Sequence, residues 1–209
     1  MAWALIKRAG KHEGRDSRYF GITALEAVGV TGMTVADVLA EVAALTPGRA
    51  LDVGCGEGVL TEEWARRLRN GHVVGVDLED PKLRAEWDRR SLPNLSFRAV
   101  DATSLPFEDD SFDVACAIEV LEHVPDPEHT VAEMARVASG HLLVSVPREP
   151  LWRALNMARG AYLRDFGNTP GHLNHWSKRS FVQLLSKHGE VVEARSPFPW
   201  TMLLVRVGS

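Results

Sequence analysis

Apolar residues along this chain recur in two rhythms. In residues 34–45, Val35, Val38, Leu39, Val42 and Leu45 fall at three- and four-residue intervals, the spacing of one helix face. This predicts a helical N-terminal region over 1–48, closed by Thr46-Pro47-Gly48. From residue 49 short apolar runs alternate with helical spacing. The pattern predicts a strand over 49–54, a helix over 59–71 ended by Gly71, and a strand over 72–78. A helix over 81–91 opened by Pro81 follows, then strands over 95–101 and 112–120, a helix over 126–139 capped by Asp126, and a strand over 141–147. The run 112–120 is almost continuously apolar, as in a strand buried on both faces. Strands separated by helices predict an α/β fold with a parallel sheet and right-handed crossovers. The rhythm breaks over 148–176, where helical spacing (151–166) gives way to the loop chemistry of "GNTPGHLNHW" (167–176). A helix over 177–189 capped by Ser177 and two closing strands, 190–198 and 200–207, complete the chain. The short Pro-containing link between those strands predicts an antiparallel pair at the sheet edge.

Composition narrows this picture. The 209 residues are 45% hydrophobic and 25% charged, enough for one well-cored domain over 1–209. A net charge of −4 is no footprint for nucleic acid, which favours a basic face. The two cysteines, Cys55 and Cys116, have neither disulfide-framework nor metal-ligand spacing. The first residues carry only a short apolar patch before Lys7 and Arg8, unlike a secretory leader. No run approaches the roughly 18 apolar residues of a membrane span. The expectation is a cytoplasmic protein with no stable membrane insertion; oligomeric state leaves no trace in the sequence.

The candidate chemistry begins at "LDVGCGEG" (51–58). Glycine tolerates positive φ and lets a ligand approach main chain, and the helix that follows offers free N–H groups. Gly54, Gly56 and Gly58 give G-x-G-x-G, not the dinucleotide G-x-G-x-x-G, and no P-loop lysine follows. The second strand ends at Asp77, roughly 20 residues on, where a carboxylate suits ribose hydroxyls. The third ends in Asp101-Ala102, a carboxylate and an N–H able to read an adenine edge. The set fits an adenosine-bearing ligand without a pyrophosphate.

These stretches, with "VVGVDLE" (73–79), "DATSLPFEDDSFDVA" (101–115), "EVLEHVPDP" (119–127) and "LLVSVP" (142–147), come in an order that resembles the class I S-adenosylmethionine-dependent methyltransferases. The likeness covers 49–147 and is strongest to the small-molecule branch of ubiquinone- and menaquinone-type enzymes. It implies a Rossmann-like sheet of seven mostly parallel strands, helices on both faces and an antiparallel last strand. It also implies S-adenosyl-L-methionine as cofactor and a small-molecule methyl acceptor. By the same likeness Gly54, Gly56 and Gly58 line the methionine portion, and Asp52 helps hold its ammonium through the loop. Asp77 binds the ribose, Leu78 packs on the adenine, Asp101 and Ala102 read its edge, and Glu119 borders cofactor and acceptor. A non-catalytic cofactor-binding module and a nicotinamide-dependent oxidoreductase are the alternatives; the glycine spacing and "DATSLPF" argue against the latter. The usual Lys-Pro-Gly-Gly turn before the fifth strand is absent, so "ASGH" makes a tighter connection with Gly140 ending the helix.

His123, at the mouth of the sheet, is the candidate general base; the alternative is a packing role in its loop. His172 and His175 in "GHLNHWS" (171–177) are further catalytic candidates on a loop, where specificity tends to reside. Without a clear third ligand they predict no metal. Trp176 is either part of a lid or a hydrophobic staple for the helix after it. Over 151–166, Leu151, Leu155, Ala158 and Tyr162 share a predicted face, with Arg153, Arg159 and Arg164 elsewhere. Near the N-terminus Arg18 and Tyr19 are candidates to close over the cofactor.

Overall fold

The computed structural model describes residues 44, 45, 47–68 and 70–208; the predicted N-terminal helical region before residue 44, with Arg18 and Tyr19, lies outside them. Seven strands form one sheet: β1 (Arg49–Val53), β2 (His72–Asp77), β3 (Leu95–Ala99), β4 (Phe112–Ile118), β5 (Ala138–Pro147), β6 (Glu190–Arg195) and β7 (Trp200–Arg206). Their order is β3-β2-β1-β4-β5-β7-β6. Strands β1 to β5 pair in parallel, and β7 runs antiparallel to both β5 and β6. The sheet is therefore the expected Rossmann-like one, and the expected antiparallel pair, β7 with β6, forms its edge beyond β5.

Among the described residues five helices accompany it: α1 (Val59–Arg67), α2 (Pro81–Trp87), α3 (Pro127–Val137), α4 (Leu151–Ala158) and α5 (Lys178–Leu185). Alternate residues of the central strands serve opposite faces. Leu51, Ala115 and Ala117 pack with Val131 and Met134 of α3 and with Phe181 and Leu185 of α5. Ala50, Val114 and Cys116 pack with Trp64 and Ala65 of α1. That two-sided burial is why these strands read as unbroken apolar runs. The predicted caps are in place: Asp126 Oδ1 accepts from His129 N, and the Ser177 side chain accepts from Ser180 N. Pro81 is the first residue of α2, behind an Asp80 cap.

Helices α2 and α5 and strands β4 and β6 end a few residues before the expected bounds, and three further differences have a visible cause. Gly140 does not end a helix; β5 begins at Ala138, directly after α3, and Gly140 lies within it. A Cβ there would sit 2.6 Å from the Asp113 carbonyl oxygen, so the glycine is needed for strand contact. Gly71 lies beyond the end of α1 at Arg67, and its Cβ would meet the Pro47 carbonyl at 2.5 Å. The helical spacing over 151–166 is interrupted: α4 stops at Ala158, Gly160 takes φ 74°, and Leu163–Asp165 form a single 3-10 turn. The buried position of α4 is Asn156, while Ala158 is exposed. Asn156 Nδ2 donates to the Gly167 carbonyl, tying the helix to the loop after it.

Candidate active site

The candidate residues gather at the carboxyl ends of the parallel strands, where open α/β sheets form their crevice. The glycine turn follows β1. Gly54 N and Cys55 N both donate to the Val76 carbonyl of β2. Gly54, Gly56 and Gly58 all take positive φ, at 73°, 55° and 79°, but for different reasons. A Cβ on Gly54 would strike Val120 at 2.5 Å, and one on Gly58 would strike the Phe97 ring at 2.5 Å. A Cβ on Gly56 would meet nothing within 4 Å among the described residues. Two glycines are thus demanded by packing and one faces open space, a cradle that a ligand can enter.

Asp77 stands beside that cradle. Its Oδ2 accepts from Gly56 N at 2.8 Å and its Oδ1 from Leu78 N at 2.7 Å. Burial raises its pKa, opposed by those two N–H donors. Each oxygen retains a lone pair for a hydroxyl donor. Asp52 is almost wholly buried, with Oδ2 accepting from Thr61 Oγ1 at 2.6 Å. Burial pushes its pKa up to about 7; it braces the turn against α1. Asp101 Oδ1 accepts from Thr103 N and Thr103 Oγ1 in a local turn, which holds its carboxyl below the usual range. Leu78 and Ala102 are half-buried at the ends of β2 and β3.

A second cluster follows β4. Glu119 has φ 58°, unusual for a residue with a side chain. Its Oε1 accepts from Ser145 Oγ at 2.9 Å and its Oε2 from Trp200 Nε1 at 2.6 Å. Burial lifts its pKa to about 7 against those two donors. Glu122 is 1% exposed and its Oε2 has no partner among the described residues. Burial, then the Glu119 charge, drives its pKa well above the usual range.

His123 Nδ1 lies 2.9 Å from the Gly171 carbonyl. A carbonyl can only accept, so Nδ1 carries the proton and Nε2 keeps its lone pair. Nε2 is 3.9 Å from Glu122 Oε1. Burial lowers the His123 pKa, with the Gly171 bond opposing. His172 packs edge-on against His123 at 4.8 Å between centroids and stacks beside Trp152 at 6.4 Å. Burial, then the charges of His123 and His175, depress its pKa to about 3. Trp152 also leans on Trp200 at 5.7 Å. The loop is pinned there because Leu173 N and Asn174 N both donate to the Glu122 carbonyl, and Asn174 Nδ2 bridges the Leu121 and Val124 carbonyls.

The two loop histidines are not equivalent. His172 joins His123, whereas His175 is exposed and engages Asn168 Oδ1 at 2.7 Å. Glu122, His123 and His172 offer ligand atoms within 4.8 Å of one another, a set that does not include His175. Trp176 packs on Phe181 at 5.6 Å, the contact of a hydrophobic staple across the Ser177 cap. Sequence reasoning passed over Glu122, Ser145, Trp152 and Trp200. Glu122 stood in the quoted "EVLEH" as a carboxylate one residue from His123; the tryptophans carried no local signal.

Comparison with known proteins extends the likeness. A methyltransferase-domain family model matches residues 51–144. A ubiquinone biosynthesis O-methyltransferase of Pseudomonas putida (strain GB-1) is 32% identical over 160 residues, 69% of this chain and 68% of that one. Its counterpart in Hahella chejuensis is 43% identical over 105 residues, and a demethylmenaquinone methyltransferase of Roseiflexus castenholzii is 40% identical over 111. Those matches cover 49% and 51% of this chain. The chain spans less than half of either relative's length, 43% and 47%. The fold matches magnesium protoporphyrin IX methyltransferase from Synechocystis, solved with bound S-adenosylhomocysteine, with TM-score 0.70 and 18% identity, covering 99% of this chain and 93% of that one. Ordered motifs, sheet topology and relatives agree: the chain belongs to the S-adenosylmethionine-dependent methyltransferase family.

Proposed function

We propose that the chain transfers a methyl group from S-adenosylmethionine to a hydroxyl oxygen of a small aromatic acceptor. The observation that carries the donor half is the open side of Gly56 next to Asp77, which fits a ligand lying against main chain. Gly54, Gly56 and Gly58 shape the turn, Asp52 braces it, Asp77 takes the ribose hydroxyls, and Leu78, Asp101 and Ala102 face the adenine. The donor supplies an electrophilic sulfonium methyl. The protein's task is to align an acceptor behind it, and such positioning removes roughly 7–11 kcal/mol of barrier in favourable systems.

For the acceptor half, His123 Nε2 is the proton acceptor, its tautomer set by Gly171. Trp152, His172 and Trp200 form an aromatic wall suited to a planar ring. Residues 148–176 act as the acceptor-side cover within a single domain over 1–209. The names of the O-methyltransferase relatives support an oxygen acceptor. No helix of the described residues is long and apolar enough to cross a membrane, and the net charge of −4 disfavours nucleic acid. The described cysteines are free, in keeping with a reducing cytoplasm.

A second reading places a divalent cation on Glu122, His123 and His172; the unpartnered Glu122 Oε2 favours it. Such an ion would polarise an acceptor oxygen. The test is a panel of small phenols and catechols with isotopically labelled S-adenosylmethionine, with and without chelator. Labelled product supports transfer, and its loss on chelation selects the cation reading. Cofactor binding with no product from any acceptor reduces the protein to a binding module.

A further inference from the structure

Trp87, the last residue of α2, is 5% exposed. Its indole Nε1 donates to the Gly56 carbonyl at 2.8 Å, across 31 residues of sequence. The ring stacks on Phe97 of β3 at 5.4 Å between centroids and 6° between planes. Phe97 in turn fills the space under the glycine turn: Cβ atoms on Gly58 and Gly75 would fall 2.5 and 2.7 Å from its ring. The two bonds around Gly56 are complementary. The peptide before its Cα donates to Asp77 Oδ2, and the peptide after it accepts from Trp87. The peptides on both sides of the one glycine of this turn with an open side among the described residues are each held by a side chain.

We propose that Trp87 is a positioning residue for the donor cradle: by anchoring the Gly56 carbonyl on the Trp87–Phe97 stack, it fixes the left-handed turn that presents Gly56 and Asp77 to the methyl donor. This rests on the proposed function for the identity of the ligand, but the anchoring itself does not. The stack supplies the platform and the N–H supplies the register. Gly56 at φ 55° has ready access to other conformations, because glycine populates both signs of φ. Without the indole donor the turn samples them, and the Gly56 N–H no longer holds the Asp77 carboxylate in place for a hydroxyl ligand.

Trp87→Phe removes the donor and keeps an aromatic ring on Phe97. Asn94→Ala serves as control. Asn94 Nδ2 donates to the Ala65, Leu68 and Gly71 carbonyls, so its loss weakens the fold away from the turn. Calorimetry with S-adenosylhomocysteine should show about fivefold weaker binding by Trp87→Phe, the worth of one neutral hydrogen bond. Asn94→Ala should bind within twofold of the parent despite a lower melting temperature. Amide hydrogen exchange of the ligand-free proteins over 54–58 should be at least fivefold faster in Trp87→Phe alone. Exchange unchanged by Trp87→Phe overturns the proposal, as does equal weakening by Asn94→Ala. If the parent fails to bind S-adenosylhomocysteine, the donor reading falls, while the exchange measurement still decides whether Trp87 orders the turn.

Discussion

At the tips of β1 to β3, polar groups are bonded to main chain close by: Asp77 to Gly56 and Leu78, Asp101 to Thr103. At the tips of β4, β5 and β7 the partners come from far apart, with Trp200 reaching Glu119 across 81 residues and Gly171 reaching His123 across 48. In the first region the strand-tip carboxylates are paired with N–H and O–H donors. The second holds a carboxyl oxygen with no partner among the described residues, two imidazoles with pKa values lowered by burial, and a glutamate with left-handed backbone. Unspent polar capacity collects where chemistry is done. On the proposed reading, the first region would serve the methyl donor whatever the acceptor, and the second would set which acceptor is taken.

The contrast breaks most sharply at His123. As the proton acceptor, its replacement by alanine should lower turnover roughly 10²–10⁴-fold while S-adenosylhomocysteine affinity stays within about threefold; His175→Ala should change turnover less than about threefold. Because burial holds His123 below the ordinary 6.5, the acid limb of the rate profile should lie below that pH. A limb above it, or an unaffected rate, would merge the two regions into one binding surface.

Within the donor half the glycines should separate. Gly58→Ala drives a methyl into Phe97 and should cost about 2–4 kcal/mol of stability through overpacking and backbone strain. Gly56→Ala should cost only about 1–2 kcal/mol yet weaken S-adenosylhomocysteine at least tenfold, about 1.4 kcal/mol, as measured by melting and calorimetry. Equal losses in both would mean that Gly56 serves packing after all. Asp77→Ala should likewise weaken that ligand by at least tenfold; unchanged affinity would remove the carboxylate from the site.

The smallest effect concerns stability and pH. Glu122 has a folded pKa raised well above its ordinary 4.5, so above pH 4.5 the unfolded chain releases a proton that the folded chain keeps. This group's contribution to stability therefore falls as pH rises. Glu122→Gln, which needs no proton, should melt above the parent at pH 8, with the gap closing below pH 4.5. His172 acts in the opposite sense. Its folded value near 3 against an ordinary 6.5 means stability is lost as pH falls below 6.5, and His172→Asn should blunt that loss. A Glu122→Gln gap that persists at pH 4 would show that the glutamate is not held protonated.

The same contrast governed what the sequence disclosed. The β1 to β4 half was legible because each strand, turn and acidic tip lies within a short window, and two-sided burial writes itself as an apolar run. The glycine turn after β1 and the place of Asp77 at the end of β2 were legible this way. Trp152 and Trp200 were not, since nothing near either residue states that they meet. Gly140 and Gly71 were misread as helix ends because a glycine required by strand contact looks the same as one that caps. The helical spacing after Leu151 was overridden at Gly160, where the chain turns to bring His172 back over His123. Trp176 resolved as a staple only once its contact with Phe181 was seen.

The reversed direction of β7 has a practical consequence. It delivers its first residue, Trp200, opposite Pro147 at the carboxyl end of β5, and its last, Arg206, opposite His141 at the far end. Residues 207 and 208 therefore lie at the ends of the strands remote from the crevice. An affinity handle, a fluorophore or a surface tether placed there should leave the entrance unobstructed, so immobilised protein can be used to screen acceptors.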